Sequence, residues 1–70
     1  MMVTPQRWRR LAKFHDRAAQ LCRKLANQLD EGHSTRRTYT TLRRLESRGG
    51  HYACALVLEW EAQTREDGAS

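Results

Sequence analysis

"SRGGHYACALVLEW", residues 47–60, decides how the second half of this chain folds. Tyr52, Leu56 and Trp60 recur every four residues, as do Ala53 and Val57, which is the helical period. Tyr52, Cys54, Leu56, Leu58 and Trp60 also alternate as a strand would. Composition separates the two readings. Only Val57 is β-branched, and Ala, Leu, Glu and Gln favour helix, so a helix is expected over about residues 51–65. The pair Gly49-Gly50 ahead of it is expected to stop or kink the chain.

Upstream of the glycines, "HSTRRTYTTLRRLESRGG" (residues 33–50) reads as a short helix over about 35–48. Tyr39, Leu42 and Leu45 form its apolar face, and Arg36, Arg37, Thr40, Arg43, Arg44 and Ser47 fall on the other side. Ser34 or Thr35 suits its N-cap, and Gly32 suits a left-handed residue after a preceding helix end. That preceding helix is expected over about 5–30. Thr4 can cap it through its hydroxyl, Pro5 fits the first helical position, and no Gly or further Pro interrupts it before Asp30. Trp8, Leu11, His15, Ala18, Cys22, Leu25 and Leu29 alternate in steps of three and four along it. Ala12, Phe14, Ala19, Leu21 and Ala26 widen that stripe.

The short connection "DEGHST" makes antiparallel neighbours. The fold class expected is therefore all-α: an antiparallel helical hairpin whose second arm is broken at Gly49-Gly50, three helices in one domain over 1–66, with a flexible tail at 67–70. At 70 residues the core is small, and such chains usually draw support from disulfides, a metal or self-association. Two cysteines, Cys22 and Cys54, with no apolar leader before them, do not suggest a secreted disulfide scaffold. His51-x-x-Cys54 offers only two ligands on one turn, and His15, Cys22 and His33 show no matching spacing, so no metal is expected. Self-association remains, as a homodimer forming a helical bundle.

The net charge of +5 is unevenly placed. Residues 1–48 carry twelve Lys/Arg against four Asp/Glu, while residues 49–70 carry Arg65 against Glu59, Glu61, Glu66 and Asp67. Arg7, Arg9 and Arg10 open the first helix and Asp30 and Glu31 end it, against the helix dipole. An antiparallel hairpin would return the acids at the end of the chain to Arg7, Arg9 and Arg10, bring Trp8 against Trp60, and set Asp30 and Glu31 near Arg36 and Arg37. Antiparallel pairing of two copies of the first helix would match the same ends.

"STRRTYTTLRRLESRG" resembles the recognition helix of winged-helix transcription regulators. The resemblance covers under a quarter of the chain. It implies anchoring by Tyr39, Leu42 and Leu45, a β-wing after the glycine, and contacts to phosphates and bases from Arg36, Arg37, Thr40, Arg43 and Arg44, to which Arg48 is added as a neighbouring cation. The chain departs from that family in having one long helix before the segment and no evident wing turn after it.

No nucleophile elbow, paired-carboxylate site or glycine-rich phosphate loop is present, and so small a chain lacks a deep pocket, so neither an enzyme nor a cofactor or small-molecule substrate is expected. No apolar run reaches membrane-spanning length, and a cytoplasmic location is expected. Aromatic residues beside arginines are the composition of protein-binding surfaces. The leading expectation is a non-enzymatic protein that occupies a surface on a partner protein, with Phe14, Arg17, Leu21, Lys24, Tyr39, Arg43 and Arg44 as candidates. By analogy it would be a phage or mobile-element regulator inhibiting a host protein. The alternative is a DNA- or RNA-binding regulator using Arg36, Arg37, Thr40, Arg43, Arg44 and Arg48.

Overall fold

The computed structural model describes residues 3–68. The chain is an antiparallel hairpin of two helices, α1 (Pro5–Asp30) and α2 (Arg36–Gly68), in a rod of 58 × 16 × 16 Å. Pro5 starts α1. Thr4 caps it with its carbonyl, which accepts from Arg7 N and Trp8 N, and its hydroxyl makes no capping bond. Gly32 takes φ +73°, the left-handed turn that reverses the chain.

The expected break at Gly49-Gly50 is absent: α2 runs through both glycines, and the expected second and third helices are one. The segment 51–65 is helical, and the described residues contain no strand. Asp67 and Gly68, expected in the tail, close α2, and residues 69–70 lie outside the described residues.

Two helical glycines cost about 1 kcal/mol each relative to alanine. Packing explains why the helix survives them. Among the buried and half-buried positions of α2, Thr38, Leu42, Leu45, Gly49, Tyr52, Leu56, Glu59 and Gln63 follow one another in strict alternation of four and three, with Ala53 half-buried beside Tyr52. Only an unbroken helix keeps all eight turned toward α1. Gly49 itself is buried where the Phe14 side chain enters; a Cβ there would stand 3.3 Å from Phe14 Cβ and Cγ. The missing side chain is the hole that receives Phe14.

On α1 the matching row is Arg7, Leu11, Phe14, Ala18, Leu21, Leu25 and Gln28. This corrects the stripe read from sequence. Leu11, Ala18 and Leu25 belong to the seam as expected, but Trp8, His15, Cys22 and Leu29 are exposed, and Phe14 and Leu21 take their place between the helices. Leu56, fully buried, packs with Val3 and Leu11, and Tyr52 and Ala53 close over them.

Polar groups end the seam at both extremities. At the open end Val3 N donates to Gln63 Oε1 (2.8 Å), Arg7 pairs with Glu59, and Tyr52 Oη donates to the Arg7 carbonyl (3.3 Å). Trp8 and Trp60 meet there edge to face at 5.9 Å, as the antiparallel arrangement leads one to expect. At the loop end lie buried Thr38 and Gln28, whose Oε1 is buried with no hydrogen-bond partner.

Candidate functional site

A helix packed through one seam leaves two flanks and an outer crest, and an antiparallel pair sets each flank beside the equivalent flank of its partner. The 3.6-residue period sorts every exposed side chain of this hairpin onto one of them.

The first flank is cationic. Arg10, Arg17 and Lys24 follow one another at seven-residue spacing along α1, with Lys13 beside them. Arg37, Arg44 and Arg48 face the same way from α2. All seven are exposed, and the acid in the same row, Glu31 one heptad beyond Lys24, lies at the loop end, where it pairs with His33. Arg10 and Lys13 line a shallow depression with Phe14 and Leu45, which places the two helices' contributions side by side. Arg10 is held there by the Tyr52 ring, 5.6 Å below its guanidinium. Arg17 Nη1 donates to Gln20 Oε1 at 3.3 Å.

The cationic surface continues over the outer crest of α2. Tyr39, Thr40, Arg43, Arg44 and Ser47 line an open depression there, with Arg36 one turn before. The Thr40 hydroxyl donates to the Arg36 carbonyl (2.9 Å), so its proton is engaged within the helix. The candidate nucleic-acid residues Arg36, Arg37, Thr40, Arg43, Arg44 and Arg48 therefore share one arc of α2. Arg10, which the sequence reading assigns to pairing with the acids at the end of the chain, joins the cationic row of α1 instead; the signal for it is its heptad spacing to Arg17 and Lys24.

The candidate set for a protein partner divides differently. Arg17 and Lys24 lie on the cationic flank and Tyr39, Arg43 and Arg44 on exposed α2, but Leu21 is buried in the seam and Phe14 is half-buried against Gly49 and the Tyr52 ring, 5.8 Å away.

The expected return of acids to the start of α1 is realised at Arg7 and Glu59. The Arg7 guanidinium holds the Glu59 carboxyl below its ordinary 4.5, against the smaller opposing effect of partial burial, and Arg7 is itself raised. Among the described residues the other ion pair is His33–Glu31 (3.3 Å); neither Asp30 nor Glu31 pairs with Arg36 or Arg37, whose charges stay free.

The second flank is apolar. Among the described residues six large hydrophobic side chains are exposed, and five lie on it: Trp8, Leu29, Tyr39, Val57 and Trp60. Between them runs an open groove of about 240 Å³ lined by small residues, Ala18, Gly49, Gly50 and Ala53, with His15 and Glu46.

No family model matches this chain, and no curated protein or solved structure is significantly similar to it. Among the described residues no three His, Cys, Asp or Glu side chains group as metal ligands, and neither helix is long and apolar enough to cross a membrane.

Proposed function

We propose that this chain is a small, non-enzymatic helical binding protein whose ligand is a nucleic acid, held electrostatically along the cationic flank. One observation carries the reading: seven exposed cations from two helices share a flank whose row on α1 meets an acid only at its loop end, Glu31, which pairs with His33. Arg10 to Lys24 spans about 21 Å at 1.5 Å per residue. A duplex carries about one negative charge per 1.7 Å of axis, so that length meets a run of phosphates rather than one. The burial of Leu21 and the half-burial of Phe14 remove apolar anchors from the set expected to face a protein, and leave mostly guanidinium and ammonium groups.

The second reading, occupation of a partner protein's surface, rests on Leu58, 65 % exposed on α2 outside both the seam and the apolar flank. In either case the chain acts as a homodimer, as its small core favours.

Fluorescence anisotropy with labelled double- and single-stranded DNA and RNA over a salt series tests the proposal. A dissociation constant in the micromolar range at about 50 mM salt is expected, with log K falling against log salt at a slope of roughly −3 to −5. Absence of binding at that salt would reject it and direct the search to a protein partner.

A further inference from the structure

We propose that two copies of this chain pair antiparallel along the apolar flank of α1, about a two-fold axis at Ala19. This rests on the homodimer reading above and names its interface and register.

Beside the hairpin seam, α1 carries a second complete row in alternating steps of four and three. Trp8 and Leu29 stand at its ends, His15 and Cys22 between, and alanine occupies 12, 19 and 26. Every residue of this row is exposed in the hairpin. The alanines allow two helix axes to approach closely, and the bulky residues sit only where the row ends.

The charges next to this row identify the occupant. Arg9, Asp16, Arg23 and Asp30 follow at seven-residue spacing on the outer crest of α1, bordering the apolar row. With a two-fold axis at Ala19, Arg9 meets Asp30 of the second copy and Asp16 meets Arg23 of the second copy. Symmetry repeats both contacts, so all four charges of each helix face an opposite charge. Parallel pairing would set this row beside the opposite flank of the second copy and leave the four charges without these partners. In the same register Trp8 covers Leu29 of the second copy, and Ala12 faces Ala26 of the second copy.

α1 has no acid in its first turn and no base in its last, an arrangement its dipole disfavours. Pairing Arg9 with Asp30 across the two copies supplies the counter-charges that the hairpin leaves out. The second helix fits the same geometry: Trp60 lies beside Trp8 at one end of the apolar flank, and Leu29 and Tyr39 are exposed toward the loop end, so the antiparallel arrangement brings the exposed aromatic cluster of one copy toward the exposed apolar residues of its twin. The two cationic flanks then point away from each other, and both remain open.

Sedimentation equilibrium of the full chain tests the register, with circular dichroism reporting helix content. The wild type is expected to be a dimer. Asp16→Arg sets like charges together at two symmetric places and is expected to weaken association about tenfold. The charge-swapped variant Asp16→Arg with Arg23→Asp restores both pairs and is expected to return to within about threefold of wild type. Both positions are exposed and outside the seam, so helix content should not change. A monomeric wild type at about 100 μM would overturn the homodimer reading itself. A dimer indifferent to Asp16→Arg, or not restored by the swap, would overturn this interface and leave self-association standing.

Discussion

Phe14 fills the space that Gly49 leaves by having no side chain: a Cβ at Gly49 would lie 3.3 Å from both Cβ and Cγ of Phe14. The neighbouring Gly50 has open space at the same place. The two glycines look alike in sequence and differ in what they do. Gly50→Ala is expected to stabilise by about 0.5–1 kcal/mol through helix propensity alone. Gly49→Ala gains the same propensity but must displace Phe14, so its net effect falls below that of Gly50→Ala. Gly49→Leu overpacks the seam and is expected to cost about 1–3 kcal/mol. Thermal melts at equal protein concentration would rank the three; an equal response at both positions would contradict the packing described.

Glu59 titrates below its ordinary 4.5 in the hairpin because Arg7 donates to it. The unfolded chain therefore binds a proton at Glu59 at higher pH than the folded chain does. Stability rises with pH across that interval: the contribution is present above the unfolded value and is lost as pH falls through the folded one. Denaturant melts at about pH 7 and about pH 3 should show this loss in the wild type, and Glu59→Gln should show a smaller one. An unchanged pH response in Glu59→Gln would mean that the pair does not contribute.

Gln28 occupies a seam position near the loop with its Oε1 buried and unpaired. Replacing it by leucine removes a desolvated acceptor and adds apolar contact with the loop end of α2. Gln28→Leu is expected to stabilise by about 1–2 kcal/mol, read as a higher denaturant midpoint at unchanged slope. A lower midpoint would show that the amide finds a partner in solution.

The cationic flank predicts a pattern across variants. Arg10→Ala, Arg17→Ala and Arg44→Ala are each expected to weaken nucleic-acid binding and to reduce the magnitude of the salt slope by about one. Glu46→Gln raises the net charge by one on the opposite, apolar flank and is expected to leave the slope unchanged. If the variants scaled with net charge alone, whatever their position, binding would not be localised to the flank.

Much of the hairpin was legible because its signals are local. Pro5 and Gly32 act through their own backbone geometry, so the span of α1 and the reversal after it follow from a few residues. Once the arms are antiparallel, ends must meet ends, which accounts for Trp8 against Trp60 and Arg7 against Glu59. The apolar stripe of α1 was legible in extent but not in use. It is wider than one partner helix covers, and its period cannot say which half turns inward.

The sequence by itself determined the two arms, their antiparallel sense, the turn between them and the excess of cations in the first two-thirds of the chain. Three things were decided only in the tertiary structure. Gly49-Gly50 stays helical, Phe14 and Leu21 enter the seam while Trp8 and Leu29 stay outside, and Arg10, Lys13, Arg17 and Lys24 align with Arg37, Arg44 and Arg48. In each case the deciding group lies on the other helix. Propensity and periodicity describe a helix in isolation; which face it buries depends on the shape of its partner, here the gap at Gly49 that only Phe14 is placed to fill.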